Sequence, residues 1–156
     1  MIACGPYFTS DSVSDDPLTE LTTEVASLAP HIVFLFGPFL DEKHIGVDSI
    51  TVRQLDTLLA GKLNEMSKVG TKVVLVPSPR DFFADPIMPT PIIDEPEFQK
   101  CKEFMVGDPV GAWTNGWHIA GTSNDIILQI MRQEFVKNIQ GDKFARVCSD
   151  IEFIDN

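Results

Sequence analysis

The 156-residue chain is poor in cysteine, tyrosine and positive charge. Its three cysteines, Cys4, Cys101 and Cys148, are far apart and show no CxxC spacing. That excludes a disulfide framework and a cysteine zinc site, fits a reducing compartment, and leaves the thiols as small buried hydrophobes. Only 12 Lys and Arg stand against 23 Asp and Glu, a formal charge of -11. A surface that grips a phosphate backbone needs clustered Lys and Arg, and no such cluster occurs along the chain. Direct nucleic-acid binding by this segment is therefore not expected, and a basic or neutral protein partner suits it better. No apolar run approaches the length of a membrane span, so no membrane partner is expected either. The opening "MIACGPYF" lacks the charged and long apolar regions of a secretory signal. It reads as a strand entered partway, in a chain that belongs to something larger.

What is present is an ordinary globular balance, 44% apolar and 22% charged, enough for one domain or most of one. Met1 to Cys4 reads as a short strand closed by Gly5-Pro6. Asp16 is placed as a helix cap with Pro17 at the first helical position, and Leu18, Leu21, Val25 and Leu28 supply one apolar face up to Pro30. The unbroken run Ile32 to Phe36 is a strand buried on both faces. Thr51 and Gln54 form a capping box for a second helix, lined by Val52, Leu55, Leu59, Leu63 and Met66 and stopped at Gly70. Lys72 to Val76 is a third strand. This alternation predicts a parallel sheet with crossover helices, whose sites lie at the carboxyl ends of the strands. Those ends are "ACGPY", "FGPFLD" and "PSPRD".

Beyond Phe82 the proline-rich "FFADPIMPTPIIDEP" reads as an irregular, ordered surface segment, because its aromatic and Ile content favours burial. "EFMVGD" and "GAWTNGWHIAG" read as strands, the latter a hairpin turning at Asn115-Gly116. A helix is expected from about Ser123 to Asp125 onward, using Ile127, Ile130 and Met131, and a last one from about Asp142, with Phe144, Val147, Cys148 and Ile151 on one side.

A two-metal phosphoesterase requires hard anionic and imidazole ligands at those strand ends, to polarise phosphate and generate hydroxide. The calcineurin-like superfamily supplies them as D-x-H, G-D-x-x-D, G-N-H-[DE], a later His and G-H-x-H. "GPFLD" keeps the frame of the second motif, with Gly37 and Asp41 in place but Pro38 where the bridging aspartate belongs. "SPRD" keeps the frame of the third, Ser78 to Asp81, with Pro79 for asparagine and Arg80 for histidine. Proline offers no ligand, and arginine is a permanent cation. The first strand end, Ala3 to Tyr7, holds neither Asp nor His.

That pattern of losses resembles one family. "ACGPYFTSDSVSDDPL", "FLFGPFLDEKH", "VPSPRD" and "NGWHIAGTSNDIIL" resemble, in order, the B (second, regulatory) subunits of DNA polymerase alpha, from residue 2 to about Ile151. Two departures stand out. Phe82, Phe83 and Ala84 fill the place where the family usually has a histidine after R-D, and Pro89-Thr90-Pro91 replaces a P-Q-P-P run. Ala120, beside Gly121, falls where active phosphoesterases carry the fourth-motif histidine.

The resemblance implies an α/β fold of the calcineurin-like metallophosphoesterase type, a sandwich of β-sheets flanked by helices and incomplete on its C-terminal side. Residues 1–156 would be a partial phosphoesterase-like domain, without the family's N-terminal helical and oligonucleotide-binding-type domains. It implies a catalytically inactive, nuclear scaffold subunit with no cofactor. Its partners would be the zinc-binding C-terminal region of the polymerase alpha catalytic subunit and, through the complex, primase. Catalytic and metal residues are none; Gly37, Pro38, Asp41, Ser78, Arg80, Asp81, Ala120 and Gly121 are structural remnants of the motifs. No interface residue is named, although exposed apolar positions between Phe82 and Ile93 are the first candidates.

Competing readings of single residues are mostly bland. Asp41, Glu42 and His44 form either a metal site or, more simply, a loop of solvated charges. His118 is a strand residue rather than a catalytic base, and His31 suits a helix C-terminus. Ser78 or Cys4 as a nucleophile has no adjacent partner. Arg80 and Asp81 are expected to pair with each other's neighbours and hold the old metal loop closed. The alternative function is an active metal-dependent phosphoesterase with rearranged ligands.

Overall fold

A computed structural model of the chain describes residues 1–8, 15–44 and 51–126. The two helices expected from about Ser123 and from Asp142 lie mainly outside these residues, as does Cys148.

Strands β1 (Ile2–Cys4), β2 (Ile32–Phe36) and β3 (Lys72–Val76) form a parallel sheet in that order, with helix α1 (Asp16–Leu28) and helix α2 (Val52–Lys68) as the crossovers. In register, Ala3, Leu35 and Leu75 lie side by side across the sheet. Parallel strands covered on both faces are continuously apolar, and β2 shows why: its alternate residues feed two different cores. Val33 and Leu35 join Val73, Leu75 and the helix residues Leu18, Val25, Leu55, Leu59, Leu63 and Met66. Phe34 and Phe36 point the other way, joining Val76 and Val110, with Ala112 and Ile119 packed against them. The second face is therefore covered by the hairpin of β4 (Val110–Thr114) and β5 (Trp117–Gly121). The described residues are layered as helices, parallel sheet and antiparallel hairpin.

Local chemistry explains most boundaries. The Thr51 hydroxyl accepts from the Gln54 N–H (3.3 Å), and the Gln54 side chain accepts from the Thr51 N–H (2.8 Å), so the capping box starts α2 as expected. Helix α1 is capped at Asp15 rather than Asp16, moving Pro17 to the second helical position. The Asp15 carboxylate does not cap backbone but accepts from the Thr19 hydroxyl (3.4 Å) and faces Lys62 (3.7 Å). Leu28 is not on the buried face; it is 61% exposed, because α1 is already leaving the sheet at Ala29, which takes a left-handed conformation. At the hairpin, Asn115 and Gly116 both have positive φ (48° and 85°), the turn that the Asn-Gly pair favours.

Two further expectations are corrected. "EFMVGD" is not a strand: Lys102–Phe104 is a single 3-10 turn, and Met105 and Asp108 make isolated bridges, to Leu75 and Thr90. Cys4 is exposed, whereas Cys101 is fully buried. The proline-rich segment has no regular structure but is anchored: Thr90 exchanges both backbone hydrogen bonds with Asp108 (2.8 and 2.9 Å), and Ile93 and Phe98 enter the core. Of the candidate exposed positions, Phe82, Ile87 and Met88 are at the surface and Ile93 is not.

Candidate functional site at the carboxyl ends of the strands

The sheet delivers three loops to one place. Gly5 donates to the Phe36 carbonyl (2.8 Å) and Gly37 to the Val76 carbonyl (2.8 Å), extending the pairing beyond each strand. The backbones then approach so closely that side chains do not fit. A Cβ at Gly5 would land on the Pro38 carbonyl, and one at Gly37 would strike the Asp81 carboxylate and lie 2.9 Å from the Ser78 nitrogen. Tyr7 reaches over the same ends, donating its hydroxyl to the Phe36 carbonyl (3.0 Å) and stacking on Phe39 with ring centroids 5.7 Å apart. Burial, then the nearby Cys4 and Asp81, push its phenol above the ordinary range.

Asp81 is the centre of this arrangement. It is 5% exposed, and its carboxylate accepts from the backbone N–H groups of Phe39, Leu40 (3.1 Å) and Ser78 (2.8 Å). One side chain thus ties the loop after β3 to the loop after β2 and satisfies three N–H groups that no strand could reach. Around it the two loops pair directly. Phe82 N–H donates to the Leu40 carbonyl (2.9 Å) and Glu42 N–H to the Arg80 carbonyl (3.0 Å). Burial pushes the Asp81 carboxyl up to about 7, against the pull of its three N–H donors and with a further upward push from Asp41.

Arg80 forms an ion pair with Asp41, whose other oxygen accepts from the Lys43 N–H (2.9 Å). The expected ionic closure between the two loops is present, but it is not what holds them. The Arg80 side chain is 61% exposed, so water screens the pair, and the buried fastening is made by Asp81 and backbone.

The sequence-predicted residues divide accordingly. Gly37, Pro38, Asp41, Ser78, Arg80 and Asp81 come together at the ends of β2 and β3. Gly121 sits on the opposite face of the sheet, where a Cβ would meet the Phe36 ring at 2.7 Å. Its neighbour Ala120 alternates to the outer side of the hairpin and is exposed. His31 and His118 are both exposed and away from the loops; His118 stacks on Trp113 at 4.4 Å. Among the described residues, no three His, Cys, Asp or Glu side chains are grouped to hold a metal ion. The donors that are present do not suit one: Asp81 is fully committed to N–H groups, and Asp41 to a guanidinium and an amide.

Two carboxylates that sequence reasoning missed do similar work elsewhere. Asp56, 2% exposed on α2, accepts from the N–H groups of Lys100 (3.1 Å) and Cys101 (2.9 Å), fastening the stretch just after the proline-rich segment to the helix layer. Burial, then the Asp56 charge, push the Cys101 thiol above the ordinary range, which suits an inert core thiol. Asp108, 1% exposed, accepts from Ser123 N–H (3.0 Å), Ser123 hydroxyl (2.6 Å) and the Asn124 amide (3.2 Å).

A third feature escaped the sequence altogether. An open cleft of about 170 Å³ lies over the strand ends, lined by Pro6, Phe8, Asp41, Lys43, His44 and Arg80. Its cations come from different loops, so no cluster shows along the chain.

At these strand ends Asp81 braces the loops of an α/β sheet. Residues 1–151 match the family of DNA polymerase alpha/epsilon B subunits, and the chain belongs to that family. It is 32% identical to the B subunit of DNA polymerase alpha from Rattus norvegicus and 33% to that from Mus musculus, in each case over 97% of this chain and 27% of the relative. The Dictyostelium discoideum protein of the same name is 35% identical over 88% of this chain and 23% of its own length. The chain thus spans about a quarter of the relatives it matches.

Proposed function

We infer that this chain is part of a non-catalytic accessory subunit of a DNA polymerase alpha–primase assembly in the nucleus. In this reading it is a calcineurin-like phosphoesterase domain that has become a scaffold. It binds the C-terminal region of the catalytic subunit and reaches primase only through the complex. The observation that carries the reading is Asp81. The carboxylate retained in the third-motif frame accepts three backbone N–H groups and braces two loops, while Pro38, Pro79 and Arg80 stand where the motifs carry other residues. The relatives' shared name supports an accessory subunit of DNA polymerase alpha, and the charge of -11 favours a protein partner over direct contact with DNA.

Co-expression with the catalytic subunit's C-terminal region tests this. Stoichiometric co-purification through size exclusion is the expected result. Separate elution of two folded proteins would contradict it.

A further inference from the structure

We propose that the cleft at the strand ends is an anion site that takes the phosphoryl group of a phosphoserine or phosphothreonine peptide. This goes beyond the scaffold reading and does not depend on it.

The argument begins with charge. The chain carries -11 overall, yet among the described residues the cleft lining sets two permanent cations, Arg80 and Lys43, beside one carboxylate, Asp41. Among the described lining residues, Arg80 and Lys43 against Asp41 leave a net charge of +1. A carboxylate ligand would merely duplicate Asp41 as a partner for Arg80. A phosphoryl dianion offers more charge and three acceptor oxygens, so it can recruit the remaining guanidinium N–H groups and Lys43 together.

Rigidity is the second part. Lys43 and His44 follow β2, and Arg80 follows β3. Asp81, the Asp41–Asp81 bridge and two backbone hydrogen bonds fasten those loops to one another. The His44 N–H is itself tied to the Asp41 carbonyl (2.9 Å). Cations on a braced platform lose less freedom on binding than cations on separate mobile loops. The location is also where open α/β sheets present their ligands.

The shape and field choose the source. Pro6 and Phe8 form an apolar wall beside the charges, a suitable surface for the carbon atoms of a peptide. A nucleic-acid end would bring several further phosphates against a strongly acidic chain, whereas a singly phosphorylated peptide brings one dianion.

The test is a titration of the 156-residue chain, at fixed ionic strength, with a neutral Gly-Ala peptide carrying one phosphoserine. The unphosphorylated peptide, inorganic phosphate and a 5′-phosphorylated oligonucleotide serve as separate arms. The phosphopeptide is expected to bind at least about tenfold more tightly than its unphosphorylated form and than the oligonucleotide. Lys43→Gln, at an exposed side chain whose change leaves the thermal midpoint in place, is expected to weaken phosphopeptide binding about tenfold, and Arg80→Gln at least as much. Lys68→Gln, at the far end of α2, is expected to leave it unchanged. Equal affinity for the two peptides, a response to inorganic phosphate alone, tighter oligonucleotide binding, or full affinity in Lys43→Gln would each overturn the proposal.

Discussion

Replacing Asp81 by alanine is expected to be among the most damaging single changes available at the strand ends. The substitution removes the acceptor of three buried N–H groups, those of Phe39, Leu40 and Ser78. Leaving a buried donor unpaired costs about 1–3 kcal/mol. Relief of the buried carboxylate's desolvation offsets part of this, so a net loss of about 2–5 kcal/mol is expected. Asp81→Asn keeps one oxygen for Phe39 and Leu40 but turns an amide N–H toward Ser78, and should lose only about 1–2 kcal/mol. Urea unfolding followed by far-UV circular dichroism measures both. The pH dependence supplies an independent check. Burial raises the folded-state value of Asp81 to about 7, above the unfolded value of about 4. The native chain therefore holds this proton more tightly than the unfolded one between those limits. Its stabilising contribution is complete below about pH 4 and is lost as pH rises through about 7, at up to about 1.4 kcal/mol per pH unit. The deficit of Asp81→Asn relative to the parent should accordingly be larger at about pH 5 than at about pH 8. A loss below about 0.5 kcal/mol in Asp81→Ala would refute the brace, because inert surface changes fall in that range.

Further outcomes follow from the same reasoning. Asp56→Ala strands the Lys100 and Cys101 N–H groups, so a loss of about 2–4 kcal/mol is expected, together with faster labelling of the otherwise buried Cys101 by a thiol reagent. Gly37→Ala should destabilise by about 1–3 kcal/mol, because its Cβ meets Asp81 and Ser78. Gly61→Ala should stabilise by about 0.5–1 kcal/mol, because it lies inside α2 with nothing within 4 Å of the new methyl; thermal unfolding of the two variants reads both signs. Arg80→Gln should cost no more than about 1 kcal/mol in urea unfolding, given the exposed guanidinium.

The parts of the fold legible in the sequence are those fixed by neighbours in the chain. The apolar runs of β2 and β3, the Thr51–Gln54 box and the Asn115–Gly116 turn each depend on residues a few positions apart, and each appears where expected. Gly37, Asp41, Ser78 and Asp81 lie at adjoining strand ends, because a parallel sheet leaves those loops nowhere else to go. The misreadings have physical reasons. "EFMVGD" has strand-like composition, yet Asp108 at its end turns inward to bind Ser123 and Asn124, and the segment becomes a turn with two isolated bridges. Asp56 looks like any polar residue of an amphipathic helix; its partners lie 44 and 45 positions away and are backbone groups, which leave no signature. The cleft's cations are separated by a whole helix and strand, so only folding brings Lys43 and Arg80 to one wall.

The central claim is that the strand-end carboxylates brace loops rather than carry metal. Calorimetric titration of the purified chain with manganese and with zinc, paired with an aryl phosphate hydrolysis assay, tests it most directly. The account predicts no stoichiometric site and no turnover above the metal-only blank. One or two tightly bound ions with hydrolysis, both lost in Asp81→Asn, would contradict it.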